Sequence, residues 1–335
     1  MFFLKKMYIH EVIRIKKDKI MRYFKFIIVF LIILGCQKKM PDEYIIRELH
    51  LVPEGIDYSP GKDAFYLSSI AQSKIIKLDR KTGKQEDFIR TGEYGYTPGV
   101  GVFIDNKKSI LYAIGGYYMF SDSLSSLFAF DLNSGQLINR YNVEDTGEHF
   151  LNDMVMDKNG NIYLTNSKDS SIYILEQGSN SLKLFFKSTE IQYPNGIAIS
   201  DDNTKLYIAT YYKGIRSVNI EKRVILNEVD TVGYSQRIDG LEFYKGHLYG
   251  IQKGSGDVTN NFRKLILNEE QNKIIKEEII DSHNPDLSKP LTFCIVDNWA
   301  IVIGNSNLEY LDQVKFTFKE TDSMQKTKLL VYNLE

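Results

Sequence analysis

Four oxygen-bearing residues recur at one phase of the chain: Glu54 in PEGIDYS, Asn152 in LNDMVMD, Asn195 in PNGIAIS and Asp239 in IDGLEFY. Each stands just before a small or turn-prone residue and a short apolar strand pattern. Two carboxylates and two amides offer only hard oxygen donors, a set that suits calcium, or magnesium or manganese, better than a soft metal. No Cys/His cluster with zinc spacing accompanies them. Taken singly, Asn-Gly and Asp-Gly are common turn dipeptides. Turn chemistry does not require every head to be Glu, Asp or Asn, however. Fainter copies headed by Val100 in VGVFID and Leu291 in LTFCIV show that an apolar residue is tolerated there.

The elements that must position these heads follow from their spacing. Consecutive heads lie 43 to 52 residues apart, near the roughly 40 to 50 residues of one propeller blade. Each repeat runs from its head through a short strand, turns at a polar cluster such as SPGKD, DKNGN or SDDNT, and resumes as AFYLSS, NIYLTNS or KLYIATY. Third strands follow as KIIKLD, SLFAFDL, SIYILE and GIRSVNI, and weaker fourth strands as KQEDFI and LKLFFK. Past Cys36 no long stretch keeps the i, i+3, i+4, i+7 apolar spacing of a helix. The fold expected over residues 45–335 is therefore all-β, a six-bladed β-propeller of four-stranded antiparallel blades around a central channel. An open sandwich or two smaller β domains is the alternative, but no composition break marks a linker. In a propeller the innermost strands line the channel, so heads at one phase converge at one mouth. VKFTFKE, KTKLLVYNL and the early YIIREL are the segments available to complete the last blade, and the sequence leaves open how the ring closes.

PEGIDY, LNDMVMDKNGNIYLT, YPNGIAISDDNTKLYIA and IDGLEF resemble the corresponding segments of the senescence marker protein (regucalcin)/gluconolactonase family of six-bladed propellers, and more distantly the paraoxonases. The likeness covers most of residues 45–300 as a repeat pattern. It implies a divalent metal, calcium first, held by Glu54, Asn195 and Asp239, with Asn152 beside the metal or the substrate. It also makes Asp239 the candidate general base. The activity implied is hydrolysis of a lactone or small ester, in which a cation polarises the carbonyl and a carboxylate takes the proton of the attacking water. Two departures separate the chain from the pattern. Ile56-Asp57-Tyr58 follows the first Glu-Gly, where the family usually has an aromatic shortly after it. GEYGYTPGVGVFID has no arginine clamp for a sugar, so sugar-lactone specificity does not carry over. The alternative function is a non-catalytic propeller lipoprotein that binds a ligand or protein partner, since propellers host many activities.

Charge and composition bound the rest. Residues 1–35 carry a net +6 and the remainder −7, an acidic balance that argues against nucleic acid as a partner of the body. Arg22 and Lys25 precede an apolar run, Phe26 to Leu34, too short for a comfortable membrane span. Ile33-Leu34-Gly35-Cys36 then resembles a bacterial lipobox. Residues 1–35 are thus expected to be a signal peptide, with Met7 and Met21 as other possible starts, Cys36 to be diacylated, and residues 36–44 to form a tether. The expected location is the bacterial cell envelope, lipid-anchored and facing the periplasm or the outside, as a monomer. With Cys36 lipidated, Cys294 has no disulfide partner and is expected to pack within the strand TFCIV. His149, three residues before Asn152, reads as a structural histidine, as do His50 and His247. No G-x-S-x-G elbow supports Ser/His/Asp catalysis.

Overall fold

The computed structural model describes residues 40–116, 125–145, 147–255, 259–319 and 321–335. The apolar run before Cys36, and Cys36 itself, lie outside the described residues. Residues 42–335 form one unit, a ring of six four-stranded antiparallel blades. Its inner strands are Pro53–Ser59, Gly99–Asp105, Leu151–Met156, Pro194–Ile199, Ile238–Tyr244 and Phe293–Val296. Each packs against the next, and the last packs against the first.

Position within a blade explains the sequence pattern. Second and third strands are sandwiched between neighbouring blades, so Ala64–Ser69 is buried along its whole length and reads as a nearly unbroken apolar run. Fourth strands face solvent, and Lys183–Lys187 buries only Phe185. The core lies between the blades. Tyr66, Ile75 and Ile89 of the first blade, for example, pack with Ile104, Leu111, Phe128 and Phe130 of the second.

The ring closes through the N-terminal segment. Glu43–Ile45 pairs with Lys328–Asn333 and becomes the outermost strand of the sixth blade, which the chain's end completes from inside. This strand takes Glu43 and Tyr44 from the stretch expected to be tether. Gln85 of the first blade clasps it, donating from Nε2 to Ile45 O and accepting from Arg47 N, both at 2.8 Å. Because Lys328–Asn333 fills the third slot and the N-terminal strand the fourth, VKFTFKE has no place in the blade. Only Thr317–Phe318 of it is a strand, paired with Leu311–Asp312 in a short hairpin. Tyr44 is 6% exposed and meets Phe65 edge-on at 5.4 Å. Tyr44→Ala should therefore lower stability by about 3 kcal/mol, read as a reduced denaturation midpoint by far-ultraviolet circular dichroism.

Candidate metal centre in the channel

Five of the six inner strands break register at the head. The ladder skips between Pro53 and Ile56, Gly99 and Val102, Leu151 and Met154, Pro194 and Ile197, and Ile238 and Leu241. A bulge of this kind frees two residues from regular pairing and re-aims their side chains. The residue after the head is glycine in four of these strands because the next inner strand is too close for a side chain. A Cβ on Gly55 would sit 2.3 Å from Val100 O, on Gly101 2.7 Å from Asn152 O, on Gly196 2.3 Å from Asp239 O, and on Gly240 2.6 Å from Thr292 Cα. Asp153 is the exception. Its carboxylate accepts from Met154 N at 2.8 Å and, across to the neighbouring blade, from Ile197 N at 3.2 Å. Amides freed by the bulges find side-chain acceptors: Gly55 N donates to Ser68 Oγ at 2.9 Å and Asp153 N to Thr165 Oγ1 at 3.0 Å.

All four sequence-predicted donors meet at one place. Glu54, Asn152, Asn195 and Asp239 line a cavity of about 490 Å³ at the channel mouth, and the same four line a second cavity of about 300 Å³ deeper in the channel. They form the waist between the two. Asn152 and Asp239 are each 8% exposed. Asn152 donates from Nδ2 to Ser167 Oγ at 3.3 Å, and that hydroxyl donates on to Pro194 O at 2.6 Å. This fixes the amide and leaves Asn152 Oδ1 without a donor among the described residues. Glu54 and Asn195 have no side-chain partner among the described residues. Asp239 is held differently, by Lys253 Nζ at 2.8 Å from Oδ2. The Glu54 carboxyl is pushed well above the usual carboxylate range, by burial first and then by Asp239 and Asp153, with Lys253 opposing. Unpartnered oxygens in a low-dielectric waist fit a hard divalent cation.

The deeper cavity adds acids that sequence reasoning missed: Asp57, Asp153, Glu242 and Asp297. Asp57 and Glu242 stand three residues after the heads Glu54 and Asp239, so a second pass at that phase would have found them. Asp57 accepts from Tyr58 N at 2.7 Å and from Ile104 N of the next blade at 2.6 Å. Burial nevertheless pushes both Asp57 and Asp153 up to about 7, against the pull of those backbone amides. Burial, then Asp153 and Asp57, raises Glu242 as well. Cys294 takes the same phase in the sixth blade. It is buried in Phe293–Val296, and burial raises its thiol. His149 is structural. Asn166 Nδ2 donates to its Nδ1 at 2.8 Å, its Nε2 donates to Asp145 Oδ1 at 2.8 Å, and it does not line either cavity.

The ring, the waist of oxygen donors and the two cavities define a β-propeller with its candidate site in the central channel. The description of the SMP-30/gluconolactonase/LRE-like family matches residues 52–241, and the chain belongs to that family. Among curated protein sequences no significant match is found. Among solved structures it is similar to regucalcin, a calcium-binding protein from Agrobacterium tumefaciens, with a TM-score of 0.59, 17% identity, and 87% of this chain and 93% of that one covered. It is similar to a gluconolactonase from Xanthomonas campestris at a TM-score of 0.57 and 13% identity, over 79% of this chain and 85% of that one. Virginiamycin B lyase from Staphylococcus aureus shares the fold at a TM-score of 0.56 and 12% identity, covering 79% of this chain and 82% of that one. At these identities the likeness is one of fold.

Two outcomes test this geometry. Gly196→Ala should displace the strand that carries Asp239 and cost about 1–3 kcal/mol. Gly61→Ala, whose Cβ would meet nothing nearer than Ser59 Oγ at 4.0 Å, should leave the unfolding midpoint unchanged. The second concerns pH. Between the ordinary aspartate value of 3.8 and about 7, the folded state holds protons on Asp57 and Asp153 that the unfolded chain has released. Stability should accordingly fall as pH rises through that window. Thermal unfolding in chelator from pH 5 to 8.5 measures this, and a midpoint that climbs between pH 5 and 7 would contradict it.

Proposed function

We propose that the chain is a divalent-metal-dependent hydrolase of a lactone or small ester, with Glu54, Asn195 and Asp239 holding the metal and Asn152 beside it. The observation that carries this reading is the convergence of four head oxygens at one waist, three of the residues presenting oxygens that no donor among the described residues satisfies. A divalent cation bound there, calcium or else magnesium or manganese, supplies charge for a carbonyl oxygen and lowers the pKa of a bound water. The protein's own residues do the rest. Asp239, at the waist and reached from both cavities, takes the proton of the attacking water. Asn152, its amide oriented by Ser167, holds the substrate's reacting end. Phe150, Leu291 and Phe316 give the mouth an apolar wall that excludes water and accommodates an acyl or aryl substituent better than a polyhydroxylated ring. We further propose that diacylated Cys36 tethers the propeller to a bacterial membrane as a monomer.

The Lys253–Asp239 pair favours a second reading, a propeller that binds a ligand without turnover, because an ion-paired carboxylate is a poor base. Metal analysis of purified protein, coupled to a panel of sugar, acyl and aryl lactones and esters with and without chelator, separates the two. The hydrolase reading expects chelator-sensitive turnover of acyl or aryl members and about a 10²-fold or greater loss of kcat in Asp239→Ala. Bound metal with no turnover anywhere in the panel selects the binding module. Metal content unchanged in an Asn195→Ala, Asp239→Ala double variant removes the metal reading altogether.

A further inference from the structure

A second ring of residues faces the mouth above the heads. Ile70, Gly116, Ser167 and Lys253 each follow the second strand of their blade and line the upper cavity. Each donates its backbone N–H to the carbonyl two residues before that blade's head: to Val52 at 3.1 Å, Pro98 at 3.1 Å, Phe150 at 2.9 Å and Arg237 at 2.9 Å. The register that fixes the heads therefore fixes this ring too, and the identity of each member decides what leans over the donor set. Three are uncharged. The fourth is an ammonium whose Nζ lies 2.8 Å from Asp239 Oδ2 and donates to Pro290 O at 2.6 Å. Both side chains of the pair are largely buried, at 20% and 11% exposure.

We propose that Lys253 is a resident counter-cation that competes with the divalent metal for Asp239 and so weakens the site's metal affinity. The proposal rests on the metal reading above. Lys253 is the one cationic side chain lining either cavity among the described residues. Its anchor on Pro290 O keeps it at the mouth whether or not Asp239 turns to a metal. A metal at the waist must then either displace the ammonium from Asp239 or bind beside it, and in a partly desolvated cavity both lower affinity through like-charge repulsion. The site is thereby set for reversible rather than permanent loading, with Asp239 neutralised when the metal is away.

The test is isothermal titration of the purified, chelator-stripped protein with calcium, magnesium and manganese, comparing wild type with Lys253→Gln, Lys253→Met and Lys253→Arg. Gln removes the charge but keeps a donor for Pro290 O, so it covers the case in which Met does not fold. Arg keeps the charge. The expected result is affinity about tenfold or more tighter in the Gln and Met variants, from loss of one nearby positive charge, with Arg close to wild type. Binding that appears in the Gln variant where wild type shows none supports the proposal equally. Affinity within twofold of wild type, or weaker, in both uncharged variants overturns it and leaves the metal reading standing. Absence of binding in wild type and in every variant overturns both.

Discussion

The structure depends on how closely its inner strands approach one another around the channel. Backbone carbonyls of one blade lie where a side chain of the next would begin, as Val100 O does opposite Gly55 and Asp239 O opposite Gly196. Glycine after the head is therefore a packing requirement before it is a turn preference. A register break accompanies this closeness in five of the six inner strands. The bulge points the head into the channel. Register break and an oxygen-bearing head coincide in four of the six blades. Where the follower is Asp153, the carboxylate replaces the missing closeness with hydrogen bonds to its own blade and the next.

That crowding concentrates charge. Glu54, Asp57, Asp153, Asp239 and Glu242 line the two cavities with Lys253 as their one cationic companion among the described residues. Burying so many carboxylates is costly unless they are protonated, hydrogen-bonded or paired with a cation. Each of the three devices is visible. Asp57 and Asp153 accept two backbone amides apiece and are still raised to about 7, Asp239 has Lys253, and Glu54 has neither donor nor ion pair among the described residues. An acid with no partner among the described residues, lining both cavities together with Asn152 and Asn195, is the part of the molecule that a bound cation would relieve most.

Much of this was legible in the sequence, and the reason is periodicity. A fold built from one unit repeated six times writes each position several times, so Glu54, Asn152, Asn195 and Asp239 could be phased against one another although none is distinctive alone. Second strands such as AFYLSS were plain because they are buried on both faces, whereas solvent-facing fourth strands such as Lys183–Lys187 carry little pattern. What the repeat does not write is what breaks it. Glu43–Ile45 closes a blade from the far end of the chain, a pairing that no local signal specifies. VKFTFKE has the composition of a strand but no vacant slot, so it folds mostly outside the ladder. Asp57 and Glu242 share a phase three residues after their heads, a signal written in only two blades and legible only once the heads themselves have been phased.

Lys253 shows why the site cannot be read from the heads alone. Its position is specified by the same register as the heads, yet the three equivalents that share its backbone hydrogen bond are Ile70, Gly116 and Ser167, so the ring tolerates almost any chemistry there. A propeller whose donor set is kept while this upper ring varies can retain a metal and change what approaches it. A gluconolactonase and a lyase are both similar to this chain in fold, so the fold alone does not fix the chemistry. In this chain the variable ring puts a cation on the candidate base. The electrostatics of the waist are thus set from the second strands, one residue beyond their last ladder pair, by a position whose backbone role is constant and whose side chain is free to differ.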